Sequence, residues 1–260
     1  MSALLSKIDE KHIATITLNR PLIHNAIDDQ LIHELMNVLR DLEQKPQVRA
    51  VLITAAGPSF CAGADLQWMK RMSTASQDEN LRDAEQLAGM LRRLNIFPRP
   101  TVALVQGSAY GGGVGIVAAC DVAIASEGAT FSLSEVKLGL IPAVISPYVI
   151  AAIGPRAARR YFLTAERFDA ATALRLGLVG AVLPADGLLA EGARLAAALA
   201  SNPPLAMAEA KRLIKDVTGR PIDLALRQET ARRIARLRVG AEAQEGIAAF
   251  LEKRKPRWQG

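Results

Sequence analysis

The stretch Tyr110-Gly111-Gly112-Gly113-Val114-Gly115 constrains this chain most, because it separates two apolar runs, Thr101–Val105 and Ile116–Cys120. That order predicts a strand, a glycine turn and a helix. Three successive glycines let another molecule approach the backbone, and they permit dihedral angles that side chains forbid. The first N–H groups of a helix have no partner inside it, and the positive end of the helix dipole lies there too. A negative charge is favoured at such a turn, either a phosphate or an oxyanion that exists only during a reaction. A helix packed closely on a sheet, with no ligand, is the plainer alternative, and glycine count alone does not separate the two.

The rest of the chain points to an α/β organisation. Ala14, Ile16 and Leu18 alternate with Thr15 and Thr17 as in a half-buried strand, which Asn19-Arg20-Pro21 ends. Asp28 or Asp29 is placed to cap a helix whose apolar face is Leu31, Leu35, Val38 and Leu42 and which Pro46 ends. Ala50–Thr54 and Val122–Ala125 read as further strands, apolar enough to be covered on both faces. A helix-prone segment runs from Gln67 to Leu94, and Pro98 and Pro100 lead into the strand at Thr101. Strands alternating with helices define the α/β class. After Pro155 the pattern is almost wholly helical, interrupted by one candidate strand, Ala181–Leu183. Two regions are expected: a core over 1–200 that carries the site, and a helical region over 201–260, rich in Arg and Ala, that packs on a partner chain. The uncharged run Leu138–Pro155 contains Pro142, Pro147 and Pro155 and reads as buried protein, not as a membrane span.

Composition narrows the function. The chain has 260 residues, half of them hydrophobic, which suits one large domain or a core with an appendage. Net charge is +6, and basic residues gather late, from Lys211, Arg212, Lys215 and Arg220 to Lys253, Arg254, Lys255 and Arg257. They suit either an anionic partner or a solvated helix face. Only 4% of residues are aromatic, which argues against a base-stacking nucleic-acid surface. Cys61 and Cys120 lie far apart, as reduced thiols of a cytoplasmic protein do, with no disulfide frame. Met1–Lys7 lacks the marks of a signal peptide or presequence, so neither secretion nor membrane anchoring is expected. His12, His24 and His33 have no metal spacing, and neither a metal nor a catalytic histidine is expected. There is no GxSxG elbow, no dinucleotide fingerprint, and no Lys-Ser/Thr after the glycines.

Three elements remain as candidate chemistry. Cys61-Ala62-Gly63-Ala64-Asp65 follows the strand at Ala50, and Ala109–Gly113 follows the strand at Thr101. Neighbouring parallel strands would bring both turns to one sheet edge, where two backbone N–H groups can form an oxyanion hole. Asp65 serves there or simply caps a helix. The third element is Phe131–Gly139, where Glu135 stands in an apolar neighbourhood. Burial raises a carboxyl pKa, which suits a general acid/base near neutral pH; an ordinary solvated or paired glutamate is the alternative.

Together these elements resemble the enoyl-CoA hydratase/isomerase (crotonase) family. The resemblance runs from Thr17-Leu18-Asn19-Arg20-Pro21 and Asn25-Ala26, through Phe60–Asp65, Tyr110–Gly113, Cys120-Asp121 and Glu135–Gly139, to Ala249–Lys255. It implies a spiral of ββα units, trimers that often pair into hexamers, and helical C-terminal packing. It also implies an acyl-CoA thioester substrate, coenzyme A being part of that substrate and no separate cofactor being needed. By the same resemblance, the N–H groups of Ala64 and Gly112 hold the thioester oxygen as it becomes an enolate. Coenzyme A and the acyl group lie against Ala26, Ala62, Asp65, Leu66, Gln67 and Gly111. Lys253 matches a lysine that contacts CoA phosphate from a neighbouring subunit.

The sequence departs from two-glutamate hydratases at Gly115, which stands where they carry a first glutamate; Glu135, 20 residues on, matches the second. Single-glutamate relatives include 3-enoyl to 2-enoyl isomerases and some hydratases. The stretch Leu140–Tyr148, with Arg159–Glu166, resembles bacterial methylglutaconyl-CoA hydratases of leucine breakdown and isohexenylglutaconyl-CoA hydratases. Their substrates carry a distal carboxylate, for which Lys70, Arg71 and Lys137 are candidate partners, and Ser108 or Tyr110 are candidates to hold water. The expectation is a homo-oligomeric hydratase that uses Glu135, with no nucleic acid and no membrane involved. An isomerase is the rival of the same class, and a non-catalytic acyl-CoA or RNA-binding member the rival from another.

Overall fold

The structure, a computed structural model, describes residues 2–259. The chain begins with a hairpin, β1 (Leu4–Ile8) and β2 (Ile13–Leu18), followed by α1 (Asp29–Glu43). Three ββα units follow. The first is β3 (Ala50–Ala55), β4 (Ser59–Cys61) and the pair α2 (Leu66–Met72) and α3 (Gln77–Asn95). The second is β5 (Thr101–Val105), β6 (Ser108–Tyr110) and α4 (Gly112–Ala119). The third is β7 (Val122–Ser126), β8 (Thr130–Ser132) and α5 (Ser146–Thr164), the last kinked where Gly154 takes φ 74° ahead of Pro155. Then come β9 (Phe168–Asp169), α6 (Ala170–Leu176), β10 (Ala181–Leu183) and α7 (Leu188–Ala200). The C-terminal helices are α8 (Pro204–Val217), α9 (Leu224–Arg238) and α10 (Ala241–Leu251).

In each unit the first strand joins a large sheet and the second a small one. The large sheet has the order β1-β2-β3-β5-β7-β10, parallel except for the antiparallel edge strand β1. The small sheet has the order β4-β6-β8-β9. This is the expected α/β spiral of ββα units, with its parallel strands at the predicted positions. Some details differ from the sequence reading. The segment 67–94 forms two helices, since Ser76 breaks it with a capping box of its own. The small sheet was not foreseen. The run 138–155 is only partly buried: Ile145, Val149 and Ile153 are inside, whereas Leu138, Leu140 and Ile141 are exposed.

The cause of burial is plain from the pattern. β5 is buried at every residue, and α1 turns Leu31, Ile32, Leu35, Leu39 and Leu42 into the core. Asp28, not Asp29, caps α1 by accepting from Leu31 N–H at 2.9 Å. Phe60, Phe97 and Phe131 are the largest side chains fully removed from water.

The chain divides into two compact units, Met1–Ala196 and Ala197–Gly260. In the second, the late basic residues find acids. Arg233 pairs with Asp216 and Glu229, Arg236 with Glu209, Arg220 with Glu229, and Arg254 with Glu245. Hydrogen bonds from Arg254 and the Arg257 N–H pull the Glu245 carboxyl down to about 2. The same unit leaves Ile222, Val239, Phe250 and Leu251 largely exposed. No helix among the described residues is long and apolar enough to cross a membrane. Cys61 is a buried free thiol, and burial pushes it up to about 12.

Candidate active site

The site is built on the loops that leave the small sheet. β4 and β6 are parallel neighbours, so the chain beyond Cys61 and the chain beyond Tyr110 emerge side by side. The approach is close: a Cβ added at Gly63 would stand 3.3 Å from the Tyr110 carbonyl oxygen, and one at Gly111 3.9 Å from the Gly63 Cα. Gly63 takes φ 97° and Gly111 φ 47°, conformations that disfavour any side chain.

A third segment locks onto the first. Ile27 N–H donates to the Gly63 carbonyl at 2.7 Å, and Asp65 N–H donates to the Ile27 carbonyl at 2.8 Å. These two bonds form a parallel bridge between Ile27 and Ala64. The Ala64 N–H takes no part in that bridge, and Ala64 is exposed. Asn25 holds the segment in place. Fully buried and at φ 55°, it donates to the carbonyls of Ala56 and Ser59, and it accepts from Arg20 N–H. Asn tolerates this left-handed conformation better than most residues, and its amide satisfies backbone groups that burial would otherwise strand.

Gly112 is the first residue of α4, so its N–H belongs to the groups a helix cannot satisfy internally. A Cβ there would meet Ile27 Cδ1 at 2.6 Å. Thus Ala64 and Gly112 stand on adjoining loops, each with an N–H outside the secondary-structure bonds, and Ile27 touches both loops.

Glu135 completes the group. It opens a single 3₁₀ turn, Glu135–Leu138, three residues past β8. Its Oε1 lies 3.1 Å from where a Gly111 Cβ would be, so the absent side chain is what lets the carboxyl reach the turn. Its Oε2 is buried without a hydrogen-bond partner. Burial raises the Glu135 pKa above the usual carboxylate range, and a hydrogen bond to its own backbone only partly offsets that. A buried carboxyl oxygen with no donor favours the protonated form, which suits a group that gives and takes a proton.

The remaining candidates divide. Ala62 N–H bonds the His24 carbonyl at 3.0 Å, which draws Ala26 and Ala62 into the same loop cluster. Leu66 and Gln67 begin α2 and are exposed. The Asp65 side chain caps α2 by accepting from Gln67 and Trp68 N–H, so of its two readings the helix cap describes the side chain. Lys253 belongs to the second unit, where it follows α10 at φ 54°. Arg71 is paired with Asp29 at 2.8 Å, whereas Lys70 and Lys137 are exposed with no ion-pair partner among the described residues. Ser108 and Tyr110 do not present free hydroxyls: both meet the Thr130 hydroxyl, at 3.1 and 3.0 Å.

Gly115 has a structural reason that the sequence did not reveal. A Cβ there would stand 2.4 Å from Ile145 Cγ2 and 3.5 Å from Leu91 Cδ1, both buried side chains. The volume a side chain at 115 would need is filled. Ile27, Ile145 and Leu91 were missed because each acts through a contact distant in sequence, for which no local pattern exists. No group of three or more His, Cys, Asp or Glu that could hold a metal ion occurs among the described residues.

Comparison with known proteins agrees with this architecture. The sequence model of the enoyl-CoA hydratase/isomerase family matches residues 9–260. The crystal structure of an enoyl-CoA hydratase from Shewanella pealeana superposes with a TM-score of 0.96 at 46% identity, covering 98% of this chain and 96% of that one. The 2,3-dehydroadipyl-CoA hydratase of Escherichia coli is 33% identical over 96% of each chain. A mitochondrial Delta(3,5)-Delta(2,4)-dienoyl-CoA isomerase of Dictyostelium discoideum is 32% identical over 97% of this chain and 89% of its own. With its ββα spiral and its full-length match, the chain belongs to the enoyl-CoA hydratase/isomerase family.

Proposed function

We propose that the protein is a cytoplasmic hydratase that adds water across the 2,3 double bond of an enoyl-CoA thioester. Its substrate on this reading is 3-methylglutaconyl-CoA or a related branched glutaconyl-CoA, as in leucine breakdown. The observation that carries the reading is the Glu135 carboxyl set against Gly111, beside the loops that offer the Ala64 and Gly112 N–H groups. The thioester oxygen sits between those two donors. They are more valuable to the enolate than to the ground-state carbonyl, because the charge develops only during reaction.

One carboxyl suffices for syn addition. The water oxygen bonds to C3 while the double-bond electron pair moves toward C1 and the thioester oxygen becomes an enolate. Glu135 delivers its proton to C2 as the enolate collapses, and its carboxylate takes a proton from the attacking water. The carboxyl is restored, and no cofactor is consumed. Ala26, Ala62, Asp65, Leu66, Gln67 and Gly111 are the contacts proposed for coenzyme A and the acyl group, with Lys253 supplied by a neighbouring chain of a homotrimer or hexamer.

A distal carboxylate on the acyl group is supported by the stretch Leu140–Tyr148 and by the dicarboxylic acyl group in the name of the E. coli relative. Arg71 is engaged by Asp29, which leaves Lys70 and Lys137 as its partners. Against an RNA-binding role, many of the late basic residues are neutralised within the chain.

A second reading, a 3-enoyl to 2-enoyl-CoA isomerase, is favoured by one observation: Ile145 and Leu91 leave no room for a second acid/base group at position 115. Product mass decides. Incubation with 3-methylglutaconyl-CoA should give a product heavier by one water. No product there, with double-bond migration at constant mass in a 3-enoyl-CoA, would establish the isomerase instead.

A further inference from the structure

The two halves of the proposed site hang from two very short strands. Gly112 lies two residues past the end of β6, and Glu135 three residues past the end of β8. β6 and β8 pair through only two residue pairs, Ala109 with Phe131 and Tyr110 with Ser132, plus Gly111 N–H donating to the Ser132 carbonyl at 2.9 Å. Something else must fix their separation and register if the N–H of Gly112 and the carboxyl of Glu135 are to serve one substrate.

A side-chain bridge stands at that place. The Thr130 hydroxyl on β8 meets the Tyr110 hydroxyl at 3.0 Å and the Ser108 hydroxyl at 3.1 Å, both from β6. The guanidinium of Arg167, next to β9, lies 5.2 Å from the centre of the Tyr110 ring. Arg167 has no carboxylate partner among the described residues, so the ring is its charge contact. Next to Thr130 on β8, Phe131 packs on Phe168 of β9 with centroids 5.5 Å apart, and Tyr161 of α5 lies 4.3 Å from Phe168. Burial alone would push the Tyr110 phenol up, yet the hydroxyls of Ser108 and Thr130 and the Arg167 charge together hold it below its ordinary value. The bridge is thus a hydrogen-bond chain across two strands, β6 and β8, with the Arg167 guanidinium set against the Tyr110 ring.

We infer that Tyr110 and Thr130 are positioning residues: their hydroxyl bridge, braced by Arg167, sets the spacing between the Gly112 N–H and the Glu135 carboxyl. This rests on the reading that Gly112 N–H receives the thioester oxygen. A displacement of even one ångström between reacting groups costs about 100-fold in rate, so loss of the bridge should act on turnover more than on binding.

The test uses Tyr110→Phe, Thr130→Val and Thr130→Ser in the full chain, with 4-(dimethylamino)cinnamoyl-CoA as probe. Its absorbance moves to the red when donors polarise the thioester carbonyl. Tyr110→Phe and Thr130→Val should each lower kcat about tenfold, with KM within about twofold, as expected for an interaction realised mainly in the transition state. Both should shrink the red shift while the probe still binds, and Thr130→Ser should restore both readouts. A red shift and kcat equal to wild type in Tyr110→Phe and Thr130→Val would overturn the inference. So would a loss of thermal stability with the red shift intact, since the bridge would then be structural only. A wild-type protein that binds the probe without any red shift would overturn the oxyanion reading itself, and this inference with it.

Discussion

At the scale of single residues, Glu135 and Gly115 carry opposite lessons. Glu135 is a half-buried acid with one buried, unsatisfied oxygen, and that arrangement works against stability at neutral pH. In the unfolded chain a glutamate titrates near about 4.3. Below that value both states are protonated and the burial costs nothing. As pH rises past it the unfolded state ionises first, and stability falls until the raised pKa of the folded state is passed. Glu135→Gln should therefore gain in thermal midpoint over wild type between pH 4 and pH 7, as followed by circular dichroism at both values. Because the proposed step starts from the protonated carboxyl, kcat/KM should fall on the alkaline side, as pH rises through the raised Glu135 pKa. Gly115 is the opposite case, a residue whose value is its lack of a side chain. Gly115→Glu would drive atoms into Ile145, 2.4 Å from the nearest Cβ position, and would bury a carboxyl. Overpacking of this kind costs about 1–3 kcal/mol before the charge is counted. Urea unfolding should show that loss, and adding Ile145→Ala should recover part of it.

At the scale of elements, the long strands and the short ones differ in what the sequence could reveal. β3, β5 and β7 are apolar runs of five or six residues with polar or proline boundaries, and they were legible as buried parallel strands. β4, β6, β8 and β9 have two or three residues each, too few to show a period, so the small sheet was invisible although the site hangs from it. The edge strand Leu4–Ile8 was missed for another reason: three of its five residues are exposed, so it carries no apolar pattern. The candidate site was legible as motifs, since Ala64, Gly112 and Glu135 stand at recognisable turns. Its supports were not, because Asn25, Ile27 and Ile145 act on residues far along the chain. Asn25 shows how much one support holds, with two donated bonds and one accepted bond inside a fully buried loop. Asn25→Ala leaves the Ala56 and Ser59 carbonyls and the Arg20 N–H without that partner. An unsatisfied buried group costs about 1–3 kcal/mol, so the variant should lose at least that in urea unfolding.

At the scale of the whole molecule, the second unit exposes large apolar side chains that single soluble chains seldom leave in water. Ile222 is 88% exposed, Phe250 82% and Val239 78%. Large apolar side chains left this open are candidates for burial in an assembly. The proposed homo-oligomer would cover them, and light scattering should then give three or six times the mass of one chain. Phe250→Asp, which places a charge on that surface, should reduce the mass. A monomer at micromolar concentration would contradict the assembly and would remove Lys253 of a neighbouring chain from the proposed CoA site. The central claim is narrower: one carboxyl, Glu135, moves the proton while two backbone N–H groups hold the developing charge. The most direct measurement is the turnover of 3-methylglutaconyl-CoA by Glu135→Gln, with substrate binding measured alongside. Loss of a general acid/base typically costs about 10²–10⁴ in rate, and the account predicts a fall in that range with binding retained. Turnover equal to that of the wild-type protein would contradict it.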